Sequence, residues 1–340
     1  RRVRGRLQGN FGLLSALRLL LAPLLLASLL LAWSLPAPRV LAGELDLPDD
    51  LETHPDGRMP IRDLYASYRS LLEQGWQLDV IVQSQPAGRE QALPIIALRT
   101  PQAGEAVWIL SGIHGEETAG PNAIAASIEV IAELGRQRPV VLLPLNNPQG
   151  YAHNWRYLNS ATWSPDIDGQ SVGDSSHLLP DPDKPDEARA PAASSSEAAA
   201  ITAYILEQAE RYPPAWSIDL HEDDLISEGY VYSQGRKGAA DPLAALAVET
   251  LRQNGIALKM GGETRFGEPI EGGIIGPVTD SSIDELMSAQ TIIVDGEARP
   301  GPGAHTVLVF ETPAKDIELQ RRVDAHAALL QALAEKLAAD

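Results

Sequence analysis

His114 and Glu117 stand three residues apart in Ile113-His114-Gly115-Glu116-Glu117, directly after an apolar run. A His-x-x-Glu pair in that place puts an imidazole and a carboxylate within reach of one divalent ion. His221, in Trp216-Ser217-Ile218-Asp219-Leu220-His221-Glu222-Asp223, offers a third donor where a second apolar run meets acids. Two histidines and one carboxylate leave a coordination position open, which marks a catalytic zinc site rather than a structural one. Glu311 closes the run Val307-Leu308-Val309-Phe310. Partial burial there would raise its pKa toward the range useful for proton transfer, so that it could deprotonate zinc-bound water. The resulting hydroxide would attack a carbonyl polarised by zinc and a nearby cation. The chain has no cysteine, which excludes disulfides, a thiolate ligand and a cysteine nucleophile. Neither Ser111 nor Ser217 lies in a Gly-x-Ser-x-Gly elbow, so the pattern is not that of a serine triad.

The elements that must position these groups alternate between strand and helix. Residues 64–74 read as a short helix; 79–83 and 93–99 as a hairpin; 106–113 and 139–145 as strands apolar on both faces. Pro121, Ile124, Ile128 and Ile131 place a helix between the last two. Ser160 to Ser196 is broken by prolines and reads as a functional loop. A capping box of Ser194 and Glu197 opens a helix to about Arg211. Strands at 216–220 and 229–233 and a helix at 241–254 follow, then an irregular Gly-rich stretch at 261–284. Strands at 291–295 and 306–310 precede a last helix with Leu319, Val323, His326, Leu330, Leu333 and Leu337 on one face. His326 on that face reads as structural. His114, His221 and Glu311 each fall just after a predicted strand, and doubly wound sheets bind ligands outside the carboxyl ends of their strands.

The 340 residues carry 27 basic and 46 acidic side chains. Residues 1–42 hold six arginines and no acid, with a charge-free stretch from Leu19, and read as a signal peptide cleaved near Ala42 or as an uncleaved anchor. An exported, periplasmic or extracellular protein is expected, with a membrane tether through residues 19–38 if the leader stays. Without residues 1–42 the chain has 21 basic against 46 acidic residues, a net charge of −25. Such a surface repels nucleic acid and anionic membrane. Residues 43–60 read as an extended linker and 61–340 as the catalytic domain.

His114-x-x-Glu117, His221 and Glu311, in that order, resemble the zinc carboxypeptidase family, which includes the succinylglutamate desuccinylase and aspartoacylase branch. The resemblance covers roughly residues 60–335. It implies an α/β fold: a single domain with a central mixed, mostly parallel twisted sheet and helices on both faces. It also implies His114, Glu117 and His221 as zinc ligands and Glu311 as the general base. The turn Asn147-Pro148-Gln149-Gly150 followed by Arg156 resembles the segment that presents the family's oxyanion-stabilising arginine. In carboxypeptidases an Asp-x-Asn-Arg segment orients the first zinc histidine and holds the substrate carboxylate. Here the matching stretch runs Asp174-Ser175-Ser176-His177. Asp174 fits the orienting role, Ser176 and His177 replace the Asn-Arg pair, and Arg265 is a second candidate for substrate binding. The implied activity is hydrolysis of an amide bond in a peptide or peptide-like small substrate. Two other readings stay open: a deacylase of N-acyl amino acids, and a non-catalytic zinc-containing binding module.

Overall fold

The apolar runs stand side by side at the centre of one ten-stranded sheet. The computed structural model describes residues 45, 47–85, 91–158 and 173–339. The leader and the tether expected at 19–38 lie outside the described residues, as does much of the expected loop. From the amino end come helix α1 (Ile61–Arg69) and strands β1 (Gln77–Ser84), β2 (Leu93–Arg99) and β3 (Ala106–Ser111). Helices α2 (Ala119–Ala126) and α3 (Ile128–Gln137), strand β4 (Val140–Leu143) and helix α4 (Pro148–His153) follow. A hairpin of β5 (Pro180–Asp181) and β6 (Lys184–Ala188) leads into α5 (Ser196–Ala209), β7 (Pro214–Asp223), β8 (Tyr230–Ser233) and α6 (Pro242–Gln253). The chain ends with β9 (Gly261–Glu263), β10 (Pro269–Glu271), β11 (Ile274–Ile275), α7 (Ile283–Ser288), the hairpin β12 (Thr291–Val294) and β13 (Glu297–Pro300), β14 (Thr306–Pro313) and α8 (Leu319–Ala339).

The strand order is β1-β2-β4-β3-β7-β14-β8-β11-β10-β9. The central strands β4, β3, β7 and β14 run parallel. Antiparallel β2 and β8 flank them. The centre is parallel because both of its faces are covered. In β3, Val107 and Ile109 enter one apolar layer with Leu64, Ile131 and Leu333, while Trp108 and Leu110 enter the other with Ile201, Ile205 and Leu286. A strand with period-two alternation between two apolar layers has no polar face to spare.

Several boundaries differ from the sequence reading. The first helix starts at Ile61 and tightens into a 3-10 turn at Ser70–Gln74, which Gly75 ends at φ +85°. The cap of α5 is Ser195, whose hydroxyl accepts from the Ala198 N–H at 3.0 Å. Ser194 instead donates to Asp174 at 2.9 Å, and Glu197 accepts from Ser84, so the expected capping box does not form. The stretch 261–284 contains three short strands and opens α7, because backbone pairing along β8 and β11 extends the sheet without an apolar periodicity to announce it. Leu45, Leu47, Leu51 and Met59 of the expected linker pack against the core. On α8, Val323, His326, Leu330, Leu333 and Leu337 are all buried, as the face predicts.

Candidate metal centre

Each site group sits where a buried strand meets the carboxyl rim. After β3, Gly112 turns the chain at φ +64°, and Gly115 passes so close to α4 that a Cβ there would meet the Gly150 carbonyl carbon at 2.1 Å. His114 is delivered between those two glycines. Asn147 locks the arrangement: its side-chain oxygen caps α4 by accepting from Gly150 N–H at 2.8 Å, and its amide donates to the carbonyls of Ile113 and Arg156. One side chain thereby fixes both the His114 loop and the Arg156 segment. His221 and Glu311 lie inside β7 and β14 rather than just beyond them, paired across the parallel register. Paired residues on adjacent strands face the same side. Both line a cleft of about 1170 Å³, with His114, Arg156, Asp174 and Arg265.

Glu117 is the hub. His114 Nδ1 lies 2.8 Å from its Oε1, and His221 Nδ1 lies 2.9 Å from its Oε2. Arg156 donates to Oε1 at 2.6 Å and the Glu222 N–H donates to Oε2 at 3.0 Å. The ligand atoms of His114, Glu117 and His221 all lie within 4.8 Å of one another. Two imidazoles turning the same kind of nitrogen toward one carboxylate form a donor set that fits a zinc-type ion with a position left open. Behind it, Glu222 accepts from the Ala119 N–H at 2.8 Å and pairs with Arg322 of α8. The first turn of α2, β7 and α8 are thus tied together under the site.

The electrostatics follow from burial in a crowd of charges. Burial opposes ionisation of Glu117, but His114, His221 and Arg156 hold it well below the usual carboxylate range. Burial and the Arg156 guanidinium push the His114 imidazolium down to about 4, so at neutral pH its ring is unprotonated, as a ligand must be. Burial also opposes charge on His221, yet Asp219 and Glu117 raise it well above the usual range. Glu311 is raised well above the usual carboxylate value by burial and by the charges of Glu117 and Asp223, against the pull of His221 and Arg156. Glu116, half-buried beside Glu117, rises to about 7 by loss of water and the Glu117 charge, although Arg156 bonds it at 2.8 Å.

Two substrate-side expectations come out differently. His177 does not line the cleft: hydrogen bonds from Leu178 and Leu179 back to Ser175 coil that stretch, and the ring faces Thr202 of α5 at 3.4 Å. Asp174 lines the cleft but accepts from Ser194, and burial lifts it to about 7. The carboxylate that does approach a ring nitrogen of a candidate ligand histidine is Asp219, 3.3 Å from His221 Nε2. Arg265 stands at the mouth, its guanidinium 4.5 Å from the Phe266 ring. Asp284, which also lines the cleft, went unmarked in the sequence; the pair Ser282 and Glu285 around it is the helix-start signal that flags its element, with Ser282 accepting from Glu285 N–H at 3.1 Å.

With the geometry in view, comparison with known proteins adds three findings. The family model of the succinylglutamate desuccinylase/aspartoacylase catalytic domain matches residues 103–267. Among solved structures, a candidate metallopeptidase from Shewanella amazonensis aligns at TM-score 0.63 and 22% identity, over 82% of this chain and 94% of that one. Carboxypeptidase A from Helicoverpa armigera aligns at 0.53 and 14% identity, over 95% and 81%. A metallo-carboxypeptidase from Burkholderia cenocepacia aligns at 0.52 and 14% identity, over 82% and 68%. No curated protein matches. The α/β fold with its mixed, mostly parallel sheet is therefore that of the carboxypeptidase-like proteins.

Proposed function

We propose that this chain is a zinc-dependent hydrolase of amide bonds in peptides or peptide-like substrates. The observation that carries the reading is the convergence of His114 Nδ1 and His221 Nδ1 on Glu117, with Glu311 paired beside His221 at the same rim. His114, Glu117 and His221 would hold the ion, which when bound supplies Lewis acidity toward water and the scissile carbonyl. Glu311 takes the proton of the attacking water and returns it to the leaving amine. Burial raises its pKa, which strengthens it as a base toward that proton. Arg156 stands in the cleft wall, and a guanidinium released from Glu116 can face the oxygen on which negative charge develops. Glu117 and the Glu222 backbone N–H keep both imidazoles in place while the charge moves.

A second reading, a deacylase of N-acyl amino acids, is favoured by the family match at residues 103–267. The acid-rich cleft wall and the absence of an Asn-Arg pair after Asp174 weigh against the acidic substrates such an enzyme needs. Hydrolysis of blocked peptides against N-acyl amino acids by zinc-loaded protein separates the two. Cleavage of neither class by wild type, under conditions where zinc is bound, would remove the hydrolase reading altogether.

A further inference from the structure

Below the metal centre the cleft continues along the sheet under α7. Register places Asp219 beside Val309 and Val309 beside Tyr232, one step down from His221, Glu311 and Tyr230 on the same face. Gln234 continues that face, its N–H bonded to the Val307 carbonyl at 2.9 Å. Helix α7 packs on β7 and β14 there and brings Ile283 and Asp284 over the strands. Asp219, Gln234 and Asp284 are 1%, 6% and 4% exposed, and all line the cleft. Asp219 Oδ1, Gln234 Oε1 and Asp284 Oδ1 have no hydrogen-bond donor among the described residues. Buried acceptors are nearly always satisfied, so three in one pocket mark the place of a missing donor.

A second metal ion is the competing occupant, since ligand atoms of Asp219, His221 and Asp284 lie within 4.8 Å of one another, and the titrations below separate it from an organic cation. His221 turns Nδ1 to Glu117, and its Nε2 lies 3.3 Å from Asp219 Oδ2 without forming a hydrogen bond to it. A cationic group rich in N–H bonds meets the need: it satisfies several acceptors at once and offsets the repulsion between two enclosed carboxylates. Val309, Ile283 and the Tyr232 ring give it an apolar sleeve suited to a methylene stem. The field of the cleft points the same way. Its described lining holds eleven Asp or Glu against three Lys or Arg, and Arg156 is already paired with Glu116 and Glu117.

We propose that the pocket beneath α7 receives a basic side chain, an ammonium or guanidinium on an alkyl stem, so that the substrates are basic peptides or peptide-like molecules. This rests on the hydrolase reading only for the word substrate; the pocket itself can be tested without turnover. Calorimetric titration of the zinc-loaded protein with arginine and with citrulline, which has the same shape without the charge, is the direct measurement. Arginine should bind about 10- to 100-fold more tightly, the range for charge-assisted hydrogen bonds. Asp284→Asn should bring the two ligands to near equality. In turnover, benzoylglycyl-arginine should exceed benzoylglycyl-citrulline in kcat/KM by a similar factor. Equal binding of arginine and citrulline to wild type overturns the proposal even if the variant fails to fold. So does a second equivalent of zinc that disappears in Asp284→Asn. An arginine preference in binding, with no peptide hydrolysed, upholds the pocket and removes the hydrolase reading instead.

Discussion

Two histidines, His221 on β7 and His326 on α8, lose their water to a similar extent, with 6% and 0% of their surface exposed, and differ in what replaces it. Around His221 stand carboxylates: Glu117 at Nδ1 and Asp219 at Nε2. Around His326 stand a hydroxyl, Thr312 at 2.9 Å from Nε2, and the positive charge of Arg322. His221 is drawn well above the usual imidazole range, while burial and Arg322 push His326 down to about 3. The same residue type, equally enclosed, stands among acids in one place and is a neutral tether in the other. Burial alone does not set the charge of a histidine; the groups that replace its water do.

The largest effect should come from deleting the ring on the carboxylate side. His221→Ala, or His114→Ala, should lower metal content from about one equivalent to none, with turnover lost in parallel. Elemental analysis of the purified protein measures this. Full metal retention in both variants would show that the ion sits elsewhere. Glu311→Gln removes a proton acceptor without touching a ligand. It should keep the metal and lower kcat by about 10²- to 10⁴-fold, the usual contribution of a general base. Unchanged hydrolysis of every substrate the wild type cleaves would break the assignment. Asp219→Asn comes third. It leaves His221 in place but weakens the acceptor opposite the ion, and metal affinity measured by competition with a chelator should fall about 10- to 100-fold. No change would mean that the 3.3 Å contact orients nothing.

Much of this contrast is legible in the sequence. His114-x-x-Glu117, His221 and Glu311 each follow a long apolar run, and such runs end at the rim of a covered parallel sheet, so their convergence is readable before any coordinates. His326 repeats with Leu330, Leu333 and Leu337 on one helical face, which marks it as packed. What is not legible depends on contacts between distant segments. Asp284 meets Asp219 across 65 positions because α7 lies on β7 and β14, and no local pattern encodes that. His177 lies three positions after Asp174 and shares its segment, yet a turn held by Ser175 sends it toward α5 instead of the cleft. Strands β9 to β11 carry little apolar alternation, so their pairing shows only in the backbone.

The smallest predicted effect probes the other histidine. In the folded protein the His326 ring takes a proton only near pH 3, whereas in the unfolded chain it does so near the ordinary 6.5. As pH falls from 6.5 toward 3 the unfolded state therefore binds the proton first, and folding stability drops by up to about 1.4 kcal/mol per pH unit from this ring alone. Above pH 6.5 both states hold it neutral and the contribution vanishes. His326→Gln keeps a side chain able to bond Thr312 but cannot titrate, so its stability should decline less steeply than wild type across that interval, with metal content unchanged. Urea unfolding midpoints at pH 7.5, 6 and 5 give the comparison, and the other acids cancel because both proteins carry them. Parallel decline in the two proteins would place His326 in water and erase the contrast with His221. A loss of metal in His326→Gln would join the two rings into a single functional unit.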